Sequence, residues 1–356
     1  MTALPSYDSA AKVLSADNPS ALALYNSVVL PAEQVASEAA ATDNDATFRA
    51  MFARVVGYLL LYPPSDLARA VVQGEIERCA DKPDQNDAVY DLGEMYVMDF
   101  ILPFFSRSYD RTPRPPQPDL QDSFQHIKED AYQGRAPRPR DSLEALALAL
   151  VRDDHLCMVT RMMDMDSWEY HLTNKPMTEW ASLTEPCHIF PATLGDTRPA
   201  GNDGTTQEDY VAARLWPILE RFGYGDIHDA LRGDKVHRLE NVLMVNYIVH
   251  VAFRSMFMWL ERTEDQPADC YHVAVSNPRW YRSLRLPHEI QFVAHAGLPL
   301  PDPTYLHIHA ACCRIASLSG ANDYLFWILD EGLCLDEAGK ADPTLKYLCY
   351  RLVHAA

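Results

Sequence analysis

The sequence predicts an α+β fold, helical towards both ends with short strands between, and three observations lead to that class. Apolar residues recur at three- and four-residue spacing in the first third and the last sixth of the chain, the mark of amphipathic helices. Short apolar runs such as Asn241–Val245 and Tyr271–Val275 lie between them and have the length of strands. The composition, 48% hydrophobic and 23% charged over 356 residues, suits a chain that buries a core, which excludes collagenous, low-complexity and wholly disordered classes.

Residues 1–46, rich in Ala, Ser and Asp without sustained apolar periodicity, predict a loosely ordered arm with one short helix. A helical region with a Pro/Arg-rich connector is expected over 47–150. Its first helix starts at Thr47, carries Phe48, Met51, Phe52, Val55, Val56 and Leu59 on one face, and stops at Pro63-Pro64. A second spans Ala88–Leu102. The proline-fixed, arginine-bearing stretches 111–118 and 135–140 predict a solvated connector. Ser142 is expected to cap the next helix, through Leu146, Leu148 and Leu150.

A mixed domain is expected over 151–300. It opens with a short strand at His155–Thr160 and contains an insertion, 192–240, with one clear helix at Gln207–Phe222. A strand at Asn241–Val245 leads to a helix over Tyr247–Arg262 bearing His250, Phe253, Met256 and Trp259. Tyr271–Val275 and Ile290–Val293 predict two more strands. Residues 301–356 are expected as C-terminal helices packed on the core, at Pro303–Leu318, Asn322–Asp330 and Pro343–His354.

Acidic residues outnumber basic ones by 50 to 31, a net charge of −19 that repels phosphate backbones at long range and counts against tight nucleic-acid binding. The longest apolar run, Val55–Tyr62, falls well short of the ~20 residues a membrane helix needs, so no membrane partner is expected. The first residues do not have the pattern of a signal peptide, and an intracellular protein of the cytoplasm or nucleus is expected. Eight scattered cysteines without CxxC spacing read as free thiols.

Four pieces carry the chemistry, in this order: Cys157–Thr160, a His-Ile-Phe-Pro-Ala-Thr-Leu run at 188–194, Asn241 opening an apolar strand, and His250 nine residues later ahead of Phe253. Their order and spacing resemble the ββα-metal, or HNH, endonuclease superfamily, and specifically the HNH-domain proteins abundant in fungi. Leu298–Pro303, His307–Ala311 and the upstream arginine-proline segment are similar to the same group, so the resemblance covers about residues 85–330. It implies a ββα-metal finger with a long insertion, embedded in N- and C-terminal helices.

The resemblance also implies metal-dependent hydrolysis of phosphodiesters. His188 is then the general base, a task that suits an imidazole because its pKa lies near neutrality. Asn241 holds that imidazole or braces the loop, and His250 binds the metal. Two departures matter. Cys187 stands where an acidic residue or histidine commonly binds the metal, and a thiolate suits zinc better than magnesium. Arg254, one helical turn after His250, replaces a frequent third ligand. The expected cofactor is therefore zinc on His250 and Cys187, or else the site is filled by the Arg254 guanidinium. Two alternatives stand beside the nuclease: a small-molecule, secondary-metabolism enzyme on the same scaffold with His188 as acid/base, and a non-catalytic binding protein. A nuclease calls for one basic face of Arg214, Arg221, Arg232, Lys235 and Arg238. A small-molecule enzyme calls for a pocket lined by Phe190, Trp216, Met244 and Phe253. His307 and His309, two apart on a helix, make a poor chelate, and Asp164 and Asp166 are expected in a solvated turn.

Overall fold

The computed structural model describes residues 2–14, 18–41, 43–106, 126–135, 138–169, 180–195, 207–262 and 267–330. The chain divides into two compact units. The first comprises 1–105, 198–228 and 311–356; the second comprises 106–197 and 229–310. The expected insertion is thus divided, its middle joining the first unit.

The first unit is helical. Helices α1 (Tyr7–Leu14), α2 (Pro19–Leu24) and α3 (Leu30–Ala39) occupy the segment expected to be a loosely ordered arm, with a π-helical turn at Tyr25–Val29 between the last two. Their buried apolar residues are Ala10, Leu14, Ala21, Tyr25, Val28, Val29, Ala32 and Ala36, and the Tyr25 hydroxyl donates to the Pro5 carbonyl at 2.6 Å. Half of that face is alanine, whose small side chain lets helices approach closely but gives little periodic hydrophobic signal.

Helix α4 (Asn44–Leu61) is capped by Asp43, whose carboxylate accepts from the Asp45 amide at 2.9 Å, and it ends ahead of Pro63-Pro64 as the spacing predicts. Ser65 caps α5 (Asp66–Ala80) and also donates to the Phe222 carbonyl at 2.7 Å. Helix α6 (Gln85–Tyr96) runs on through a π-helical turn at Val97–Ile101 and a 3-10 turn at Leu102–Phe104. The helix Gln207–Arg221 joins this unit through Arg214 on Asp99 at 2.7 Å and Arg221 on Glu75 at 2.6 Å.

In the second unit, α7 (Ser142–Arg152) is capped by Asp141, not by Ser142: the Asp141 carboxylate accepts from the Leu143 and Glu144 amides, both at 2.9 Å. The strand expected at His155–Thr160 is a tight reversal instead. Asp154, His155 and Arg161 all take positive φ, 57°, 62° and 57°, and Leu156 bridges back to Met163. Strand β1 (Met163–Asp164) pairs in parallel with β2 (Ala181–Ser182). Asp164 is wholly buried and Asp166 nearly so, against the expected solvated turn. The Asp164 carboxylate accepts from both the amide and hydroxyl of Ser167 and of Thr184, so its desolvation is offset by four hydrogen bonds.

Strand β3 (Thr184–His188) pairs antiparallel with β4 (Val242–Asn246), Thr184 opposite Asn246 and His188 opposite Val242. Asn246 then caps α8 (Tyr247–Arg254), its side chain accepting from the Val249 amide at 2.9 Å. The helix expected to reach Arg262 stops at Arg254, because Met256 takes φ 56° and the chain re-enters a sheet. That sheet is β5 (Met258–Glu261), β6 (Cys270–Val275) and β7 (Glu289–Gln291), all antiparallel. Trp259, expected on the helix, is a strand residue. The helices Pro303–Ser319 and Ala321–Asp330 form as predicted. Most of the arginine-proline connector and the helix expected at Pro343–His354 lie outside the described residues.

Candidate functional site

His188, Asn241, His250 and Cys187 are all carried by β3, β4 or α8, or directly flank them, within the second unit. His188 ends β3 and is 8% exposed. Asn241, fully buried, stands just before β4 and uses its whole amide on the backbone. Its Oδ1 accepts from the Phe190 amide at 2.8 Å, and its Nδ2 donates to the carbonyls of Phe190 and Val236, both at 2.9 Å. Of the two roles open to Asn241, holding the imidazole or bracing the loop, these bonds serve the second. They tie the turn after His188 to the residue before His237.

His237 is the residue that sequence reasoning missed. Its Nδ1 lies 3.0 Å from His188 Nε2, with the rings nearly perpendicular at 77°. It sits on the 3-10 turn Gly233–His237, which packs against a second 3-10 turn, Ala192–Gly195. A side chain at Gly195 would meet the Gly233 carbonyl at 2.6 Å, so glycine permits that close approach. The available signal was a histidine four residues before Asn241, masked by the neighbouring Lys235 and Arg238.

Arg152, also missed, holds the other side of Asn241. It is wholly buried, pairs with Asp153 through two 2.8 Å contacts, and donates to the carbonyls of Leu239 and Val242 at 2.9 Å each. Burial pushes the Asp153 carboxyl up while the guanidinium pulls it down. The signal was a charged pair placed directly after the apolar run Leu146–Val151.

The electrostatics are those of buried bases beside a fixed cation. Burial first, then His237, Arg254 and His250, lower the His188 pKa from 6.5 to about 3. His250 falls to about 4 and His309 to about 3, in each case from burial and then from the Arg254 charge. His309 lies flat against Phe253, with ring centroids 3.8 Å apart at 6°. Burial pushes the Cys187 thiol up to about 12 even though Arg254 pulls it down. His250 and Arg254 occupy one face of α8, a turn apart.

The expected metal donors carry features that oppose a cation. Cys187 and His188 are adjacent in an extended strand, so their side chains leave opposite faces of β3. The Cys187 thiol stays protonated, and Arg254 supplies a positive charge that acts on Cys187, His188 and His250 alike. Among the described residues no three His, Cys, Asp or Glu side chains form a group able to hold a metal ion. The expected zinc ligands His250 and Cys187 are thus joined by no third such side chain among the described residues.

The basic residues expected to gather phosphates are largely neutralised. Arg214 and Arg221 face Asp99 and Glu75 in the first unit, and Arg238 pairs with Glu240 at 2.6 Å. Lys235 donates to the Asp229 carbonyl at 3.0 Å. Of the expected pocket residues, Phe190, Met244 and Phe253 are buried in the second unit, whereas Trp216 belongs to the first and stacks on His228. Among the described residues no helix is long and apolar enough to cross a membrane. No protein-family model, curated protein or solved structure matches the chain.

Proposed function

We propose that the chain is an acid/base enzyme acting on a small anionic substrate, hydrolysing an ester or phosphoester bond with His188 as the proton-handling group. The contact between His188 Nε2 and His237 Nδ1 carries this reading. Burial keeps the His188 ring neutral in the resting state, so it takes a proton rather than gives one. When His188 takes the proton of an attacking water, its new charge is shared with His237 through the 3.0 Å bond. The water oxygen bonds the electrophilic centre, and the departing oxygen recovers the proton from His188. A substrate anion beside Arg254 cancels part of the positive field that depresses His188, and so brings its basicity closer to the working range.

The resemblance to HNH proteins favours a second reading, a nuclease hydrolysing the phosphodiesters of nucleic acid. Its support is the chain order itself: two antiparallel strands, then a helix, with His188, Asn241 and His250 in sequence. The paired arginines and the −19 charge rank it second.

The two readings separate in one experiment. Wild type, His188→Ala and His237→Ala are incubated with bis(p-nitrophenyl) phosphate, p-nitrophenyl phosphate, supercoiled plasmid and RNA, each with chelator, zinc or magnesium. The expected result is cleavage of a small ester that persists in chelator and falls by about a hundredfold or more in His188→Ala. Plasmid nicking that needs a divalent ion and disappears in His188→Ala would establish the nuclease instead. Equal inertness of wild type and variant on every substrate would leave only a binding role.

A further inference from the structure

A run of positive charge lies at the turn that joins β6 to β7. From Cys270 to His288 the chain carries no Asp or Glu, yet Arg279, Arg282 and Arg285 recur there at every third residue, in a protein of net charge −19. All three are exposed, and among the described residues none of their guanidinium groups makes an ion pair or a hydrogen bond. Arg214, Arg221 and Arg238, by contrast, each hold a carboxylate.

The turn is anchored along its length. The Asn277 side chain accepts from the Arg279 amide at 2.9 Å ahead of the short helix Arg279–Ser283, on which Arg279 and Arg282 stand three residues apart on one face. Trp280 stacks on Phe257 with ring centroids 5.1 Å apart, the Tyr281 hydroxyl donates to the Val273 carbonyl, and Leu286 is buried. Arg285 takes φ 51°, and its guanidinium carbon lies 4.4 Å from the centre of the Trp180 ring. Trp180 is 52% exposed and leads into β2, while Trp168, 41% exposed, follows β1, the partner strand of β2. Arg285 thereby joins the basic turn to an exposed tryptophan corner, and Arg with Trp is the pairing most enriched where proteins bind one another tightly.

The charge of the whole chain selects among anionic partners. It is −19 with these three arginines included, so the remainder of the molecule is strongly acidic. A nucleic acid or an anionic bilayer extends over many Debye lengths of ~8 Å and meets that acidic remainder as well as the patch. A short peptide segment touches the patch alone. Its carboxylates match the guanidinium fork, and an apolar residue among them suits the exposed ring of Trp180.

We propose that this surface docks a short acidic segment of another protein, with its carboxylates on Arg279, Arg282 and Arg285 and an apolar side chain against Trp180. The inference goes beyond the acid/base reading and does not depend on it.

The test uses the full chain and fluorescence anisotropy with labelled probes: a short glutamate peptide with one central leucine, an all-glutamate peptide, the glutamine counterpart of the first, and a single-stranded oligonucleotide. Sedimentation with vesicles of phosphatidylserine and phosphatidylcholine completes the set. The leucine-bearing glutamate peptide is expected to bind wild type, to weaken with added salt, and to lose about tenfold or more in affinity when Arg279→Glu, Arg282→Glu and Arg285→Glu are combined. Arg282→Gln, which removes one exposed charge, should weaken it severalfold and keeps the test open if the triple variant does not fold. Trp180→Ser should weaken the leucine-bearing peptide more than the all-glutamate one. Equal binding of the glutamate and glutamine peptides overturns the proposal, as does equal binding by wild type and the arginine variants, or a wild type that binds no glutamate peptide. Tighter binding of the oligonucleotide or of the vesicles overturns it in favour of that partner.

Discussion

His188 and His237 are 49 residues apart in the chain, yet their ring nitrogens meet at 3.0 Å. The buried ring of His188 thus depends on His237 for its polar satisfaction. His237→Leu should cost about 1–3 kcal/mol of stability, the penalty for a buried nitrogen left unpaired. It should also raise the His188 pKa, since the second-largest cause of its depression is removed. Chemical denaturation and an NMR titration of the His188 ring check both effects; an unchanged His188 titration would show that the pair is not coupled.

Acid should unfold the protein through its buried histidines. His188, His250 and His309 have folded pKa values lowered from 6.5 to about 3, 4 and 3. A depressed folded value means that the unfolded chain takes up the proton first. The stability contributed by keeping these rings neutral is therefore complete above pH 6.5 and is lost as pH falls from there towards 4 and 3. Each histidine adds up to about 1.4 kcal/mol per pH unit in that window. Urea midpoints measured from pH 8 to pH 4 should fall steeply below 6.5, and His309→Gln should flatten the slope.

Asn241 offers a sharper test than truncation alone. Asn241→Ala removes three hydrogen bonds to buried backbone and should cost roughly 3 kcal/mol. Asn241→Asp keeps the shape but turns the two-bond donor into an acceptor facing the carbonyls of Phe190 and Val236, so it should be worse than alanine at neutral pH. If aspartate is tolerated as well as alanine, the bracing role is wrong.

Arg152 and Asp153 should behave as a pair. Arg152→Leu leaves a buried carboxylate unpaired and should destabilise by about 3–5 kcal/mol, whereas replacing both with apolar residues should recover much of the loss. A double-mutant cycle by chemical denaturation measures the coupling.

Gly195→Ala should act at a distance. The added carbon meets the Gly233 carbonyl at 2.6 Å and Val236 at 2.7 Å, so the turn bearing His237 must shift. The expected outcome is loss of the His188–His237 coupling in the ring titration, with the β3–β4 pair still formed. An unperturbed His188 titration would show that the turn yields without moving the histidine.

By itself the sequence determined the elements whose cause is local. The apolar strand after Asn241, the helix that follows it, the helix stopped by Pro63-Pro64 and the pair Pro303–Ser319 and Ala321–Asp330 are legible from periodicity, caps and breakers within a few residues. Tertiary structure decided the rest. The alanine-lined helices of residues 7–39 and the early end of α8 depend on what packs or pairs against them, at Tyr25 and along β5. His237 matters because residues 49 apart in the chain meet, and no local pattern encodes that distance. Arg254 reads in the sequence as a lost ligand position. Only the folded surroundings show its charge acting on Cys187, His188, His250 and His309 together, because that neighbourhood is assembled from distant segments.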